Sequence, residues 1–271
     1  MGLFDGKKGL IVGVANDHSI AWHIAKFVMD EGGECGFTHL PDRPDDERQR
    51  NRRRVDKVTS KYEQAKFLVP MNVQDDDHIA AAMETAKETF GEIDFLLHSV
   101  AFALPDDLRG DTIDTSRDGF KLAMEVSAYS LIAITKAARP ILAAKSSVLA
   151  MTYFGGEKCV PGYNVMGICK AALEAIVRYL AFDLGPEGTR VNAVSAGPLK
   201  TISGVGAGVG EMLDLYKRMA PIGRNITHEE VGRVGAFLLS HLSEGISAEV
   251  LHVDGGFNAM GSPGRLLDDL K

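Results

Sequence analysis

The chain has 271 residues, 45% of them apolar and 25% charged, which is typical of a globular protein with a substantial core. Its formal net charge of -7 argues against a nucleic-acid partner or an anionic membrane surface. No apolar run of about 18 residues could span a membrane, and the N-terminal segment lacks a signal-peptide pattern. Three cysteines without a CxxC pattern predict neither disulfides nor a zinc site, so we expect a cytoplasmic protein.

Short apolar segments alternate with helical patterns along the chain. Strands are predicted at residues 8–15, 35–40, 65–73, 93–101, 146–153, 189–197 and 249–256. Helices are predicted at residues 19–32, 75–91, 116–144, 163–184 and 228–240. This alternation predicts an α/β fold: a doubly wound, seven-stranded parallel sheet of the Rossmann type, in a single domain over residues 1–271.

Two segments lie outside this alternation. Residues 41–58 contain five acids and seven bases, which indicates a solvated loop and the start of a helix, with a phosphate-binding patch as the alternative. Residues 195–224 follow a predicted strand and are rich in glycine in their first half. A long segment of this kind after a parallel strand predicts a flexible substrate-binding lid at about 199–224.

The first predicted strand leads into the turn "GVANDHSIAWHIA". Gly13 would let the backbone approach a ligand, and Ser19 could cap the next helix or donate to a pyrophosphate oxygen. The pattern GxGxxG is absent because Ala15 stands at the second glycine position. A nucleotide site and an ordinary capped turn are therefore both open interpretations of this turn.

Other strands end in small or polar residues. Leu40, Asn72 with Val73, and the segment "HSVAFA" beginning at His98 all come at the carboxyl ends of predicted parallel strands. Such ends meet in one crevice, where a flat cofactor can lie across the sheet edge. Asn72 is equally well interpreted as a turn residue or as a neighbour of an adenine.

Tyr163 and Lys170 lie seven positions apart at the start of a predicted helix. Seven residues turn about 700° and rise about 10.5 Å, so the two side chains share one face. A nearby lysine can lower the pKa of a phenol and can hold a ribose hydroxyl, although a shared face also arises by chance. Tyr153 ends a predicted strand. Two phenols and a lysine without a carboxylate favour proton donation or oxyanion stabilisation over hydrolysis.

The order of these motifs resembles the short-chain dehydrogenase/reductase superfamily. Most members place lysine four positions after the catalytic tyrosine, where this chain has Gly167. The gap of seven, with Tyr153 ten positions upstream, resembles the divergent branch of enoyl-(acyl-carrier-protein) reductases of bacterial type II fatty acid synthesis. The resemblance covers nearly the whole chain, including "YFGGEKCVPGYNVMGICKAALEA", "RVNAVSAGPLKTISGVG" and "DGGFNAMG".

This resemblance implies roles for individual residues. Tyr163 would stabilise the enolate formed when hydride reaches the β-carbon of a trans-2-enoyl thioester, and Lys170 would hold the nicotinamide ribose. Tyr153, the third implied catalytic residue, would line the substrate pocket and assist Tyr163. The implied cofactor-binding residues are Gly13, Ser19, Ile20, Leu40, Asn72, Val73, Ser99, Val100, Ala101, Lys170, Leu199, Lys200, Thr201, Ile202 and Ser203. Ala103 would touch the acyl substrate.

The resemblance also implies the cofactor and partners. NADH is favoured, with NADPH as the alternative because Arg43 could meet a 2'-phosphate. An acyl carrier protein would deliver the enoyl substrate, and the chain would form a homotetramer. Two departures stand out: Asn72 replaces a common aspartate, and Ala101 replaces a glycine beside the active site. The rival hypotheses are a short-chain reductase acting on a ketone or alcohol and a non-catalytic nucleotide-sensing protein.

Overall fold

The computed structural model describes residues 2–200 and 209–270. Within these residues the strands are β1 (Lys8–Val12), β2 (Glu34–His39), β3 (Ala65–Pro70), β4 (Ile93–His98), β5 (Leu142–Thr152), β6 (Arg190–Ala196) and β7 (Val250–Val253). They form one parallel sheet in the order β3-β2-β1-β4-β5-β6-β7. The predicted doubly wound, seven-stranded sheet of the Rossmann type is confirmed.

Helices cover both faces of this sheet. The described α-helices are α1 (Ile20–Asp30), α2 (Arg50–Thr59), α3 (Asp76–Phe90), α4 (Pro105–Leu108), α5 (Arg117–Met124), α6 (Ser130–Ala138), α7 (Asn164–Leu184), α8 (Val209–Met219) and α9 (His228–Leu239). A π-helical turn, Glu125–Tyr129, joins α5 to α6. In the part of the chain that the structure describes, no helix is long and apolar enough to cross a membrane.

Helix ends follow from local sequence signals. At α3 the carboxylate of Asp75 accepts hydrogen bonds from the backbone N–H groups of Asp77 and His78, which satisfies two amides of the first turn. At α9, Thr227 and Glu230 form a capping box. These ends agree with the predicted helices 75–91 and 228–240 to within one residue.

Several predicted boundaries are wrong: β1, β3, β4 and β7 each end three residues before the predicted end, and the largest error lies between α6 and β5. The helix predicted at 116–144 ends at Ala138, and β5 begins at Leu142, four residues before its predicted start at 146. Pro140 lies in a short 3-10 turn between them, where it interrupts the helical hydrogen bonds. Leu142 then pairs with Ile93 of β4, so sheet pairing outweighs the helix propensity of Ala143 and Ala144.

Alternate residues of the central strands enter two hydrophobic layers. In β4, Phe95 and Leu97 face one layer with α1 and α9, whereas Leu96 faces the other with α3, α6 and α7. α1 and α9 can approach closely because Gly232 has no side chain. A Cβ at this position would lie 2.7 Å from the backbone oxygen of His23. Both faces of the sheet are thereby buried, as the near-continuous apolar strands predict.

The strand order reverses between β1 and β4. After β3 the chain crosses to the other side of β1, where β4 pairs with it. β1 and β4 are therefore neighbours whose following loops lead away from each other. Val12 and His98, the last residues of these strands, are register partners. Ligands of open parallel sheets bind at such a switch point, outside the carboxyl ends of the strands.

Candidate active site

Gly13 occupies the switch point and is required there by sterics. Its φ is +110°, and an added Cβ would lie 2.1 Å from the backbone oxygen of Ser99, so any side chain would clash. The backbone N–H of Ser99 in turn donates to the carbonyl of Val12, at 2.9 Å. The loops after β1 and β4 thus touch with no side chain between them, which suits the close backbone approach that a dinucleotide needs.

Ser19 does not cap α1 through its side chain. Its hydroxyl accepts hydrogen bonds from the backbone N–H groups of Ala15 (2.9 Å) and Asn16 (3.1 Å), which tightens the turn before the helix. In the first turn of α1, the backbone N–H groups of Trp22 and His23 donate to the carbonyl of Ser19, at 3.0 and 3.4 Å. The N–H groups of Ile20 and Ala21 precede these bonds, and a helix N-terminus of this kind favours a phosphate.

The residues expected beside the adenosine lie at the ends of β2 and β3. Leu40 is exposed directly after β2, and Val73 is buried after β3. The side-chain oxygen of Asn72 accepts from the N–H of Gln74, at 3.2 Å, so it stabilises a turn. That hydrogen bond supports the turn interpretation of Asn72 and leaves its amide nitrogen for a ligand.

Asp42 is already used within the protein. Its carboxylate accepts from the backbone N–H groups of Asn51 (2.6 Å) and Arg52 (3.1 Å), which caps α2. Asp42 is the first acid after β2, and both of its carboxylate oxygens already accept hydrogen bonds from α2 rather than from a ribose 2'-hydroxyl. Arg43 beside it is exposed, and among the described residues it forms no ion pair.

The segment after β4 is held by the π-helical turn. The hydroxyl of Ser127 accepts from the N–H of Phe102 (2.9 Å) and donates to the carbonyl of the same residue (3.1 Å). Ala103 is buried in a small apolar cluster with Ala123, Val165, Met166 and Cys169, against which Ala101 and Tyr163 pack. The structure thus brings Ala101 and Ala103, from one strand end, together with Tyr163 on another element.

Lys170 is buried beneath the site. Only 6% of its surface is exposed, and its Nζ donates to the carbonyl of Met151 at 2.8 Å. Burial lowers the pKa of its ammonium group to about 8, which the negative charge of Glu174 partly opposes. One of its three N–H groups has a partner here, and the others can serve a ribose hydroxyl.

Two glycines make room for the ring of Tyr163. A Cβ at Gly155 would lie 2.4 Å from that ring, and a Cβ at Gly167 would lie 2.8 Å from the carbonyl oxygen of Gly155. Tyr163 itself is the residue before α7, so its ring lies at the helix start beside the strand ends. Burial, and then the neighbouring Tyr153, raise the pKa of the Tyr163 phenol. The expected lowering of this pKa by Lys170 is therefore not found, and the Tyr163 phenol is neutral near pH 7.

Tyr153 lies directly after β5 and contacts Tyr163. The two ring centroids are 4.7 Å apart at an interplanar angle of 66°, an edge-to-face arrangement. The hydroxyl of Tyr153 is 3.0 Å from that of Tyr216, a residue of α8 that the sequence analysis did not single out. The helical spacing of Met212, Tyr216 and Met219 was a signal for α8, but no local pattern connects Tyr216 to the site.

The remaining expected cofactor residues follow β6. Leu199 is buried and Lys200 is exposed at the end of the described segment. Thr201, Ile202 and Ser203 lie outside the described residues, as does part of the predicted lid at 199–224. Within residues 2–200 and 209–270, no group of three or more His, Cys, Asp and Glu side chains could hold a metal ion.

Comparisons with known proteins agree with this arrangement. A sequence model of the family described as Enoyl-(Acyl carrier protein) reductase matches residues 13–258. The NADH-dependent enoyl-acyl-carrier-protein reductase of Nostoc sp. is 43% identical over 258 residues, which cover 94% of this chain and 98% of that protein.

Solved structures agree as well. The Bacillus cereus enoyl-acyl-carrier-protein reductase, in complex with NADP+ and indole naphthyridinone, has a TM-score of 0.91 at 42% identity and covers 97% of this chain and 100% of that one. The NADH-dependent reductase of Aquifex aeolicus has a TM-score of 0.89 at 40% identity, with 96% and 100% covered. The match of the family model to residues 13–258, together with relatives that are 40–43% identical over nearly the whole chain, shows that the chain belongs to the enoyl-(acyl-carrier-protein) reductase family.

Proposed function

We propose that this protein reduces the carbon–carbon double bond of trans-2-enoyl thioesters with NADH, the last step of each elongation cycle in type II fatty acid synthesis. The observation that carries the proposal is the placement of Tyr163 directly before α7 and of Lys170 within that helix. Tyr163 and Ala101 both pack against the buried cluster that contains Ala103, while Lys170 is buried and bonded to β5. A neutral phenol at the start of α7, with a buried cation farther along the same helix, suits the stabilisation of a developing oxyanion.

In the proposed reaction each side chain has one task. The Tyr163 hydroxyl donates a hydrogen bond to the thioester carbonyl oxygen, which becomes negative as hydride adds to the β-carbon. A raised phenol pKa keeps this proton on Tyr163 across neutral pH, so the residue acts as a donor. Lys170 binds the nicotinamide ribose, and its charge stabilises the same oxyanion. Tyr153 and Ala103 line the acyl pocket beside it.

The dinucleotide supplies the hydride when it is bound. We propose that Gly13, Ser19 and Ile20 surround its pyrophosphate; that Leu40, Asn72 and Val73 border its adenosine; and that Ser99, Val100 and Ala101 line its ribose. The steric requirement at Gly13 supports this assignment, because it holds the loops after β1 and β4 in contact at the switch point where ligands of parallel sheets bind. Leu199, Lys200, Thr201, Ile202 and Ser203 would cover the nicotinamide side.

NADH is the proposed cofactor and NADPH the alternative. The names of the NADH-dependent relatives support the first. Exposed Arg43, which lies directly after the capping residue Asp42, supports the second, because a guanidinium without an ion pair among the described residues can bind a 2'-phosphate. Initial rates with the two cofactors against crotonyl thioester decide between them.

The proposal includes partners and location. An acyl carrier protein delivers the enoyl substrate, residues about 199–224 act as a substrate-binding lid, and the chain assembles as a homotetramer in the cytoplasm. Cys35, Cys159 and Cys169 are all free thiols, which fits a reducing compartment. Exposed aromatic residues on α7, Tyr179 and Phe182, support an assembly through that helix.

The test is reduction of crotonyl thioester by the purified protein, followed by loss of nicotinamide absorbance. We expect Tyr163→Phe to lower kcat by roughly 100-fold, because it removes one oxyanion donor. The Kd for NADH, measured by fluorescence, should stay within about twofold, because the hydroxyl is assigned to the substrate. Tyr62→Phe is the matched control, because it removes the hydroxyl of a tyrosine that packs on Trp22 away from the site. This variant should retain the activity of the unmodified protein.

Three outcomes would contradict the proposal. Oxidation of NADH with a 3-ketoacyl thioester but not with crotonyl thioester would make the protein a ketone reductase. Full activity of Tyr163→Phe would remove this hydroxyl from the mechanism. Binding of NADH without turnover of either thioester would favour the nucleotide-sensing alternative.

A further inference from the structure

A third phenol lies next to the proposed site but comes from a distant part of the chain. Tyr216, on α8, has only 6% of its surface exposed. Its hydroxyl oxygen is 3.0 Å from that of Tyr153, a normal distance for a hydrogen bond between hydroxyls. Together with the edge-to-face contact of Tyr153 and Tyr163, this bond places three tyrosines in a row.

The ring of Tyr216 is fixed from behind. It stacks on Phe257 with ring centroids 3.8 Å apart and an interplanar angle of 15°. Phe257 follows a turn after β7, where the Asp254 carboxylate accepts from the N–H groups of Gly256 (2.9 Å) and Asn258 (2.8 Å). The rigid turn and the stacked ring together direct the Tyr216 hydroxyl at Tyr153.

The hydrogen bond between Tyr153 and Tyr216 can have either direction, and substrate binding would select one. A phenol has one donor and can accept at its oxygen. If Tyr153 donates to a substrate oxygen, it can only accept from Tyr216, so the two protons point the same way. Hydroxyls arranged in series polarise each other and strengthen the terminal bond.

Both phenols keep their protons in this environment. Burial raises the pKa of Tyr153 and of Tyr216, and the negative charge of Asp254 raises both further. Neither group is ionised near neutral pH. Tyr216 therefore cannot serve as a base here, but it can donate.

We propose that Tyr216 is a positioning residue for the reductase reaction: its hydroxyl donates to Tyr153 and leaves the Tyr153 proton free for the substrate carbonyl. This inference rests on the proposed function, since it needs a substrate oxygen beside Tyr153. The inference also assigns a function to α8, because this helix carries Tyr216, the proposed hydrogen-bond donor.

Tyr216→Phe is the sharpest test, because the variant keeps the ring stack on Phe257 and loses only the hydroxyl. We expect kcat/KM for crotonyl thioester to fall about tenfold, as for a lost hydrogen bond in a polar network. The loss should lie mainly in kcat, and the Kd for NADH should not change. Thermal unfolding of both proteins checks that the fold is retained.

A double-mutant cycle with Tyr153→Phe separates positioning from a merely structural role. If Tyr216 acts through the Tyr153 hydroxyl, then Tyr216→Phe has no further effect in the Tyr153→Phe background. An equal loss in both backgrounds, or no loss in the single variant, would overturn the inference. Inactivity of the unmodified protein towards enoyl thioesters would refute the proposed function instead, so the two failures are distinguishable.

Discussion

At the scale of single residues, Gly167 explains why the lysine stands seven positions after Tyr163. A side chain four positions after Tyr163 would begin 2.8 Å from the carbonyl oxygen of Gly155. Gly155 in turn must lack a side chain so that the Tyr163 ring can lie against it. Lys170, seven positions after Tyr163, lies on the same helix face and bonds to β5. The unusual spacing therefore follows from the close packing of α7 on the turn after β5.

The buried state of Lys170 predicts a pH dependence. Its pKa is lowered from the ordinary lysine range to about 8, so the cation is complete below that pH and is lost as pH rises through it. We expect kcat/KM for crotonyl thioester to decline above about pH 8, since this parameter reports groups of the free enzyme. The measurement is a pH profile of the unmodified protein.

Lys170→Arg is the comparison for that profile. Arginine stays charged at every accessible pH, so the alkaline decline should move upward or disappear, although the larger side chain should lower the rate. An unchanged decline in Lys170→Arg would assign it to another group. Lys26→Arg, at an exposed lysine paired with Asp30, controls for nonspecific effects of the exchange.

His98 predicts an acid sensitivity of the fold. It is fully buried, and its Nε2 donates to the Ser130 hydroxyl at 2.8 Å, because that hydroxyl itself donates to the carbonyl of Val126. Burial, and then the charge of Lys170, lower its pKa to about 3. His98 therefore binds a proton more tightly in the unfolded chain, where its pKa is about 6.5, than in the folded protein. Its contribution to the free energy of unfolding is complete above pH 6.5 and is lost as the pH falls from 6.5 towards 3.

His98→Gln isolates this contribution. Glutamine keeps an N–H donor for Ser130 but does not titrate. Between pH 7 and pH 5 the unmodified protein should lose about 2 kcal/mol of unfolding free energy that the variant retains. Urea unfolding at the two pH values measures the difference. Equal acid losses in both proteins would mean that His98 is protonated in the folded state.

At the scale of secondary structure, the sequence predicted the elements well where periodicity and capping agree. α3 and α9 have strong N-terminal capping signals, and both were predicted to within one residue. The start of β5 was missed because Leu142 to Lys145 favour a helix locally and become a strand only through pairing with β4. α8 was obscured by the preceding glycines, which led us to expect a flexible segment.

The candidate site could be predicted only in part. Tyr153, Tyr163 and Lys170 lie within one short stretch, so their spacing carried a signal. Tyr216 comes 63 residues after Tyr153, and only the folded chain brings the two hydroxyls together. The role of Asp42 was equally hidden, because its capping partners on α2 lie nine and ten positions later.

At the scale of the whole molecule, the outer face of α7 carries large aromatic side chains that the described residues of a single chain leave exposed. Tyr179 and Phe182 are 74% and 81% exposed, and their spacing of three places them on one helix face. The opposite face of α7 is buried and carries Lys170 and Leu173. Large aromatic residues at high exposure are typical of a protein–protein interface, so this face is the expected contact between copies in the proposed homotetramer.

A charge on this face should therefore disrupt assembly. In Phe182→Lys each copy would place a cation in an interface that needs apolar contact, and the mass measured by sedimentation velocity at micromolar concentration should fall below that of the unmodified protein. Leu242→Lys, at an equally apolar residue that is 59% exposed after α9, is the matched control and should leave the mass unchanged. Because Lys170 lies on the inner face of the same helix, loss of the contact should also lower kcat/KM for crotonyl thioester. A monomeric unmodified protein, or a Phe182→Lys variant of unchanged mass, would show that α7 does not form the interface.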